Sequence, residues 1–210
     1  WTTTPWTLPG NMAAAVNKDA PYVKVQVGDE NLILAKNRLE IMGSDAKIVG
    51  EISGANLVGK SYIPPFDYFL KKELKEEKNA WKIYHAPYVS LEEGTGAVHL
   101  APAFGSDDME LAKEYDIPIV HHVKEDGTFA ESVSDFKGMS VKPKDTEEDS
   151  NKHQSADIEI IKHLAHKGLL FKKEKITHSY PHCWRCDTPL LNYAANSWFV
   201  NVHSIRKKLI

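Results

Sequence analysis

The sequence predicts a mixed α/β fold with a β-barrel-like core and peripheral helices. Segments with the alternation typical of strands outnumber segments with helical spacing. The strands do not alternate regularly with helices, as they would in a doubly wound sheet. The glycine pair Gly94 and Gly96 resembles part of a nucleotide-binding turn, but it lacks the third glycine and leads into a strand pattern. We therefore expect a mixed barrel or sandwich.

Short strands begin early in the chain. Val23, Val25 and Val27 alternate with polar residues, and a turn at 28–31 leads into the apolar residues 32–34. This pattern predicts a hairpin with one buried face. The other predicted strands are 47–52, 81–85, 97–101, 117–123, 169–173 and 197–202.

Apolar residues at helical spacing predict three helices. The first covers 66–74, the second runs from about 107 to 115, and the third covers 158–165 and ends before Gly168. Residues 145–154 are polar and lack apolar periodicity, which predicts a loop or an insertion.

The composition excludes several classes of protein. The chain has 210 residues, a net charge of −3 and two cysteines, too few for a disulfide scaffold. No apolar run approaches the length of about 18 residues that spans a bilayer, and residues 1–10 are not a signal sequence. We expect a cytoplasmic protein. Because the chain begins at Trp1 and ends at Ile210 after a basic run, we also expect it to be part of a longer protein.

Charge is distributed unevenly along the chain. From Ile160 onward there are nine lysines and arginines against two acidic residues. Such a basic sector can face a polyanion, since phosphate contacts supply much of the affinity for nucleic acids. A solvated basic face is the alternative.

Four threonines lie within the first seven residues. Pro5 disfavours helical backbone at Thr4, so the segment is expected to be extended. Alternation then places Thr2 and Thr4 on one side and Thr3 on the other. Two converging hydroxyls can orient a water or a substrate carbonyl; alternatively, the threonines only reflect β-propensity.

A histidine and an aspartate stand out in residues 94–108. His99 projects from a strand opposite its apolar neighbours, either as a packed residue or towards a ligand. Ser106 or Asp107 is predicted to cap the following helix, with Asp107 and Glu110 at capping-box spacing. Asp108 then falls in the first turn, where the helix dipole favours an ionised carboxylate. It can hold a substrate ammonium group or be a helix-start acid without a ligand.

Cys183 and Cys186 form a C-x-x-C pair, which is half of a zinc site. His178 and His182 can complete four ligands only if the backbone folds tightly around the metal. The flanking prolines argue against a thioredoxin-type helix start. A structural pair and a nucleophilic Cys183 are the remaining interpretations.

Three segments resemble the isoleucyl-tRNA synthetase family: WTTTPWTLPGN, GTGAVHLAPAFGSDD and HSYPHCWRCDTPLLNYAANSWFV. The resemblance spans nearly the whole chain. More specifically, the chain resembles the editing insertion of that family, which is called connective peptide 1. It implies a β-barrel with surrounding helices, and one editing domain over 1–210 in which 178–210 return towards a catalytic core. The HIGH-type and KMSKS-type motifs are absent, so amino-acid activation is not expected.

The related valyl and leucyl enzymes carry similar insertions, but an Arg-Pro pair normally follows their threonines. This chain has Thr4-Pro5-Trp6-Thr7 instead, which favours the isoleucyl family. The resemblance implies hydrolysis of valine from misacylated isoleucine tRNA, with valyl-adenylate as a second candidate substrate. A module that binds the aminoacyl-tRNA end without hydrolysis is the alternative.

The resemblance also implies residue roles. Thr2 and Thr4 match threonines that position substrate and water, and Asp108 matches an aspartate that binds the α-ammonium group. His99 matches the histidine that limits side-chain size. The other implied substrate-binding residues are Thr3, Trp6, Thr7, Asn11 and Tyr180. Many bacterial members have histidine where Phe104 stands, and we assign no role to that position.

The implied partners are the valine-bearing 3′ end of isoleucine tRNA and the rest of the synthetase in cis, with no membrane or DNA. Editing is expected to need no cofactor. In some family members a second C-x-x-C outside the insertion shares one zinc, which would make Cys183 and Cys186 its downstream half.

Overall fold

A computed structural model of the chain describes residues 1–43, 46–70, 72, 74–142, 155–174 and 180–209. The strands are β1 (Ala13–Val16), β2 (Pro21–Val27), β3 (Glu30–Ala35), β4 (Lys47–Ser53), β5 (Ile83–His85) and β6 (Ala97–Leu100). The α-helices are α1 (Ser106–Tyr115), α2 (Ser155–His166) and α3 (Val202–Leu209). Short 3₁₀ helices are Pro5–Gly10, Lys36–Met42, Gly54–Asn56, Glu77–Asn79 and Pro102–Phe104. No helix in these ranges is long and apolar enough to cross a membrane.

The strands form two three-stranded sheets. In the first, β1 lies between β5, to which it is parallel, and β6, to which it is antiparallel. In the second, β2 lies between β3 and β4, with both pairs antiparallel. The predicted hairpin is the β2–β3 pair, and its alternating valines Val23 and Val25 are buried as expected.

The predicted mixed fold of strands with peripheral helices is present, and within the described residues the two sheets form no closed barrel. Among the residues that the structure describes, no ladder of hydrogen bonds joins the two sheets. Single hydrogen bonds lie near their edges, such as the one that Ala35 N donates to Thr95 O at 2.9 Å. The mixed α/β prediction is confirmed.

Several predicted elements are present and others are not. The strands at 47–52 and 97–101 and the helices at 107–115 and 158–165 are confirmed within one to three residues. The strand at 81–85 is shorter, because Trp81 has a positive φ of 51° and precedes β5. Residues 117–123, 169–173 and 197–202 form no strand, and α3 begins at Val202. The predicted loop at 145–154 lies outside the described residues.

The helix predicted at 66–74 is wrong in its described part, which forms turns. Phe66 and Phe69 are both buried, but they belong to different cores. Phe69 packs with Met12 and Leu111 near β1 and α1. Phe66 packs in a second core around Trp6, Phe104, Phe129 and Ile160. The helical spacing of Phe66 and Phe69 therefore does not mark one helix face, because the chain passes from one core to the other between them.

The Gly96 backbone has a φ of +73°, and an added Cβ would overlap the Cβ of Ala35. Gly96→Ala should therefore lower the free energy of unfolding by about 3 kcal/mol, from left-handed strain plus overpacking. Gly59→Ala is the matched control, because Gly59 has a φ of +82° and nothing within 4 Å. It should cost only about 1–2 kcal/mol in urea unfolding. Equal losses in the two variants would contradict the proposed overlap.

Candidate functional site

A cavity of about 330 Å³ lies between the first seven residues, β6 and the start of α1. Its lining residues are Trp1, Thr2, Thr3, Thr4, Thr7, Tyr88, Ser90, Glu93, Gly96, Val98, His99, Ala101, Phe104, Gly105 and Asp108. Three segments that are far apart in the sequence therefore meet around one space, and they include the threonines, the histidine and the aspartate that the sequence singles out.

The threonine hydroxyls form a connected group. Thr2 Oγ1 lies 3.5 Å from Thr4 Oγ1 and accepts a 3.1 Å hydrogen bond from Thr4 N. Thr4 Oγ1 lies 3.3 Å from Thr7 Oγ1. The expected convergence of Thr2 and Thr4 is present, but Thr3, which alternation places on the other side, also lines the cavity. The group presents hydroxyls that can each donate or accept a hydrogen bond.

His99 is held by this hydroxyl group. The Thr7 hydroxyl donates to Thr4 O at 2.8 Å and lies 2.8 Å from His99 Nε2. Because the hydroxyl has one hydrogen, we assign the proton of the imidazole to Nε2, which donates to Thr7 Oγ1. Nδ1 is then a buried acceptor with no hydrogen-bond partner among the described residues.

Burial lowers the pKa of His99 from 6.5 to about 3. The ring is therefore neutral at physiological pH, and a group with this pKa is a weak base for taking a proton from water. His99 is better suited to shaping the cavity than to general-base catalysis.

Asp108 occupies the first turn of α1, and its Oδ2 accepts a 2.8 Å hydrogen bond from Ala101 N. Oδ1 has no hydrogen-bond partner in the described chain, so it can receive a donor from a ligand. Burial raises the pKa of Asp108, while the hydrogen bond from Ala101 opposes that shift. The predicted caps Ser106 and Asp107 are wrong: Ser106 begins the helix, and Gly105 precedes it without a side-chain cap.

The sequence gives no local signal for three other lining residues, Tyr88, Ser90 and Glu93. They belong to a loop whose end is held by two hydrogen bonds. Tyr22 Oη, on β2, donates to Gly96 O at 2.7 Å, and Arg38 Nε, in the 3₁₀ helix Lys36–Met42, donates to Gly94 O at 3.0 Å. Burial, then the charges of Asp108 and Asp107, raise the pKa of Tyr88, so its phenol stays protonated and can donate a hydrogen bond.

Three residues with implied substrate-binding roles lie outside the cavity wall. The Trp6 ring packs edge-on against Phe104, with 5.5 Å between ring centroids, in the second core. Asn11 is buried and accepts a 2.6 Å hydrogen bond from Tyr62 Oη. The Tyr180 ring lies 5.2 Å from Lys142 Nζ. Trp6 and Asn11 therefore support the fold behind the site.

No three His, Cys, Asp or Glu side chains in the described ranges are grouped as a metal site would require. His182 Nδ1 lies 3.4 Å from Asp187 Oδ1, and Cys186 Sγ lies 2.9 Å from Thr188 Oγ1. His178 lies outside the described residues. A zinc site shared by Cys183 and Cys186 with ligands elsewhere in a longer protein stays a prediction.

The depressed histidine pKa values predict acid sensitivity. Burial lowers the pKa of His122 to about 4, as it lowers that of His99 to about 3. An unfolded histidine takes up a proton near pH 6.5, so the unfolded chain binds more protons than the folded chain below that pH. The free energy of unfolding should therefore fall as the pH drops from about 6.5 towards 4.

The measurement is an NMR titration together with denaturant unfolding at each pH. The ring signals of His99 and His122 should stay at their neutral positions while stability declines. A midpoint near pH 6.5 for either ring would contradict the assignment.

The fold is that of the editing domains of aminoacyl-tRNA synthetases. A family model described as the leucyl-tRNA synthetase editing domain matches residues 70–165. The crystal structure of GlLeuRS-CP1 has the same fold, with a TM-score of 0.59 and 15% identity over 85% of this chain and 83% of that chain.

Comparison of whole sequences identifies the family more specifically. It is 46% identical to the isoleucine–tRNA ligase of Clostridium novyi over 100% of this chain and 19% of that protein. It is 42% identical to the isoleucine–tRNA ligase of Thermus thermophilus over 100% of this chain and 18% of that protein. The chain belongs to the isoleucyl-tRNA synthetase family, as an editing domain. It spans about a fifth of the length of these relatives.

Proposed function

We propose that this chain hydrolyses the ester between valine and the 3′-terminal adenosine of misacylated isoleucine tRNA. The observation that carries the proposal is the single cavity in which the Asp108 carboxylate, the neutral His99 ring and the Thr2, Thr4 and Thr7 hydroxyls meet. A carboxylate complements an ammonium group, and the hydroxyls complement an ester carbonyl and a water.

Editing is needed because a synthetic site rejects a smaller side chain poorly. Isoleucyl-tRNA synthetases are the usual example of this limit, in which one missing methylene gives about 1–3 kcal/mol of discrimination. A second site that admits valine and excludes isoleucine corrects the error. His99, fixed by Thr7, provides a rigid wall for that exclusion.

In the proposed reaction, Asp108 Oδ1 holds the α-ammonium group of valine, and the hydroxyls of Thr2 and Thr4 orient the carbonyl or the attacking water. The water oxygen bonds to the ester carbon, the bond between that carbon and the ribose oxygen breaks, and the ribose oxygen takes the proton that the water releases. The products are valine and uncharged tRNA. An aminoacyl ester is already reactive, so positioning can supply much of the rate without a metal or a strong base.

The same chemistry would act on valyl-adenylate, which carries the same ammonium group and a reactive acyl carbon. The proposed partners are isoleucine tRNA and the rest of the synthetase in cis, and the proposed location is the cytoplasm. The basic residues from Ile160 onward supply charge that suits tRNA phosphates.

The direct test is hydrolysis of valyl-tRNA and isoleucyl-tRNA, both made on isoleucine tRNA, by this chain. Release of valine with little release of isoleucine is the expected result. Binding of both without hydrolysis would overturn the hydrolase proposal and favour an aminoacyl-tRNA binding module.

Changing both Thr2 and Thr4 to valine should lower the turnover of valyl-tRNA by about 100-fold, because loss of a preorganised hydrogen-bond group typically costs that much. KM should change much less, since Asp108 still binds the ammonium group. Thr128→Val is the comparison, because Thr128 does not line the cavity and its hydroxyl bonds to Asp126. Steady-state deacylation kinetics of the variants provide the measurement. A rise in KM with unchanged turnover would contradict the proposed orienting role of Thr2 and Thr4.

A further inference from the structure

The peptide groups of Trp6 are held from both sides by side chains distant in the sequence. Asp157 Oδ1, on α2, accepts a 2.9 Å hydrogen bond from Trp6 N. His122 Nε2 lies 3.1 Å from Trp6 O. Trp6 stands between Thr4 and Thr7, so this pair of contacts fixes the backbone that carries two of the cavity hydroxyls.

The contact from Asp157 replaces a missing helix cap. Trp6 N belongs to the first turn of the 3₁₀ helix Pro5–Gly10, and Thr4 at its N-cap makes no side-chain cap. An acceptor supplied from elsewhere satisfies that donor. Asp157 Oδ2 lies 3.6 Å from Lys142 Nζ, and both side chains are largely covered. Burial raises the pKa of Asp157, whereas the Lys142 charge lowers it, so the lysine helps to keep the carboxylate ionised.

The contact from His122 is equally constrained. Its ring is fully buried, and a carbonyl oxygen can only accept, so Nε2 carries the proton and donates to Trp6 O. Burial lowers the pKa of His122 to about 4, which leaves the ring neutral. The ring packs against Gly10, where an added Cβ would overlap Nδ1. The ring therefore has little room to leave Trp6.

We propose that Asp157 and His122 are positioning residues for editing: by clamping the Trp6 peptide, they hold the Thr4 and Thr7 hydroxyls in register with His99 and Asp108. Neither residue lines the cavity, so neither contacts the substrate. The proposal rests on the hydrolysis proposed above. It adds that the geometry of the threonine segment is imposed by α2 and by the segment after α1.

The test compares three variants of this chain. Asp157→Ala removes the acceptor for Trp6 N, whereas Asp157→Asn keeps an amide oxygen in its place and removes the charge. Glu159→Ala is the matched control, since Glu159 lies on the same helix but bonds only to Lys162 among the described residues. Each variant is assayed for kcat and KM on valyl-tRNA, for its thermal unfolding, and for hydrogen exchange at the Trp6 amide.

For Asp157→Ala, we expect kcat to fall at least tenfold with KM changed less than threefold, and the Trp6 amide to exchange faster. Asp157→Asn should stay within about threefold of the wild-type kcat, and Glu159→Ala should match the wild type. Unchanged kcat in Asp157→Ala would overturn the proposal, and so would an equal loss in Asp157→Asn.

Substitutions of His122 provide a second, independent test of the proposal. His122→Gln can still donate to Trp6 O from its amide nitrogen, and His122→Leu cannot. The proposal expects a larger kcat loss for leucine than for glutamine when both variants are equally folded, and equal losses would overturn the role of His122. A wild-type chain that protects the Trp6 amide but does not release valine would instead overturn the proposed hydrolysis, together with any catalytic role of the clamp.

Discussion

Asp108→Ala is expected to remove most of the deacylation activity on valyl-tRNA while the chain remains folded. Asp108 is the carboxylate among the lining residues that is held in place by a backbone donor, Ala101 N, and it has a second oxygen available to a ligand. Breaking a hydrogen-bonded charge pair in a partly desolvated site costs about 2–5 kcal/mol. That corresponds to a loss of roughly 30-fold to several thousand-fold in kcat/KM.

Two further variants separate the charge from the fold. Asp108→Asn keeps an acceptor for Ala101 N and should fold like the wild type, but it should lose most of the activity because an amide does not complement an ammonium group. Asp107→Ala removes a neighbouring carboxylate from the same helix turn that does not line the cavity, and it should stay near wild-type activity. Full activity in Asp108→Asn would refute the ammonium role.

His99→Ala is expected to extend hydrolysis to isoleucyl-tRNA. The variant removes an imidazole that lines a cavity of about 330 Å³ and so opens room for a longer side chain. The rate on isoleucyl-tRNA relative to valyl-tRNA should rise at least tenfold, because one methylene accounts for discrimination of about 10- to 200-fold. Deacylation of both substrates, measured in parallel, gives this ratio.

Thr7→Val is the control for His99. It keeps the imidazole but removes the hydroxyl that holds Nε2. If the bulk of the ring is what excludes isoleucine, Thr7→Val should change the ratio far less than His99→Ala. The size-filter role would be wrong if His99→Ala still rejected isoleucine as the wild type does.

The parts of the fold that the sequence predicts are those with strong local periodicity. In β2, the alternating residues Val23 and Val25 are buried, so local pattern and burial agree there. In α2, the helical spacing predicts the helix but not its buried face, because Ala156, Ile160 and Leu164 are buried whereas Ile158 is exposed. β1 was not predicted, because the run Ala13–Val16 is short and alanine has low β-propensity. The apolar residues Phe66 and Phe69 have helical spacing but serve two cores, which a one-helix interpretation cannot represent.

Composition and family resemblance predict the residues at the centre of the candidate site. They do not predict the residues that hold those central residues in place. Thr2, His99 and Asp108 stand out by residue type and by family motif, and they meet in one cavity. Tyr88 lines the cavity, and Asp157 bonds to the Trp6 backbone beside it. Both contacts are between residues far apart in the sequence, so no local sequence pattern predicts them. The family resemblance implies a substrate-binding role for Trp6, but its ring packs in the second core.

The hydrogen bond between Thr7 and His99 joins residues 92 positions apart, and the one between Trp6 and Asp157 joins residues 151 positions apart. Closing loops of this size is entropically costly until the intervening chain has packed. Completion of the cavity is therefore expected to require that these distant segments have already packed against each other, so a truncated or partly collapsed chain should lack it.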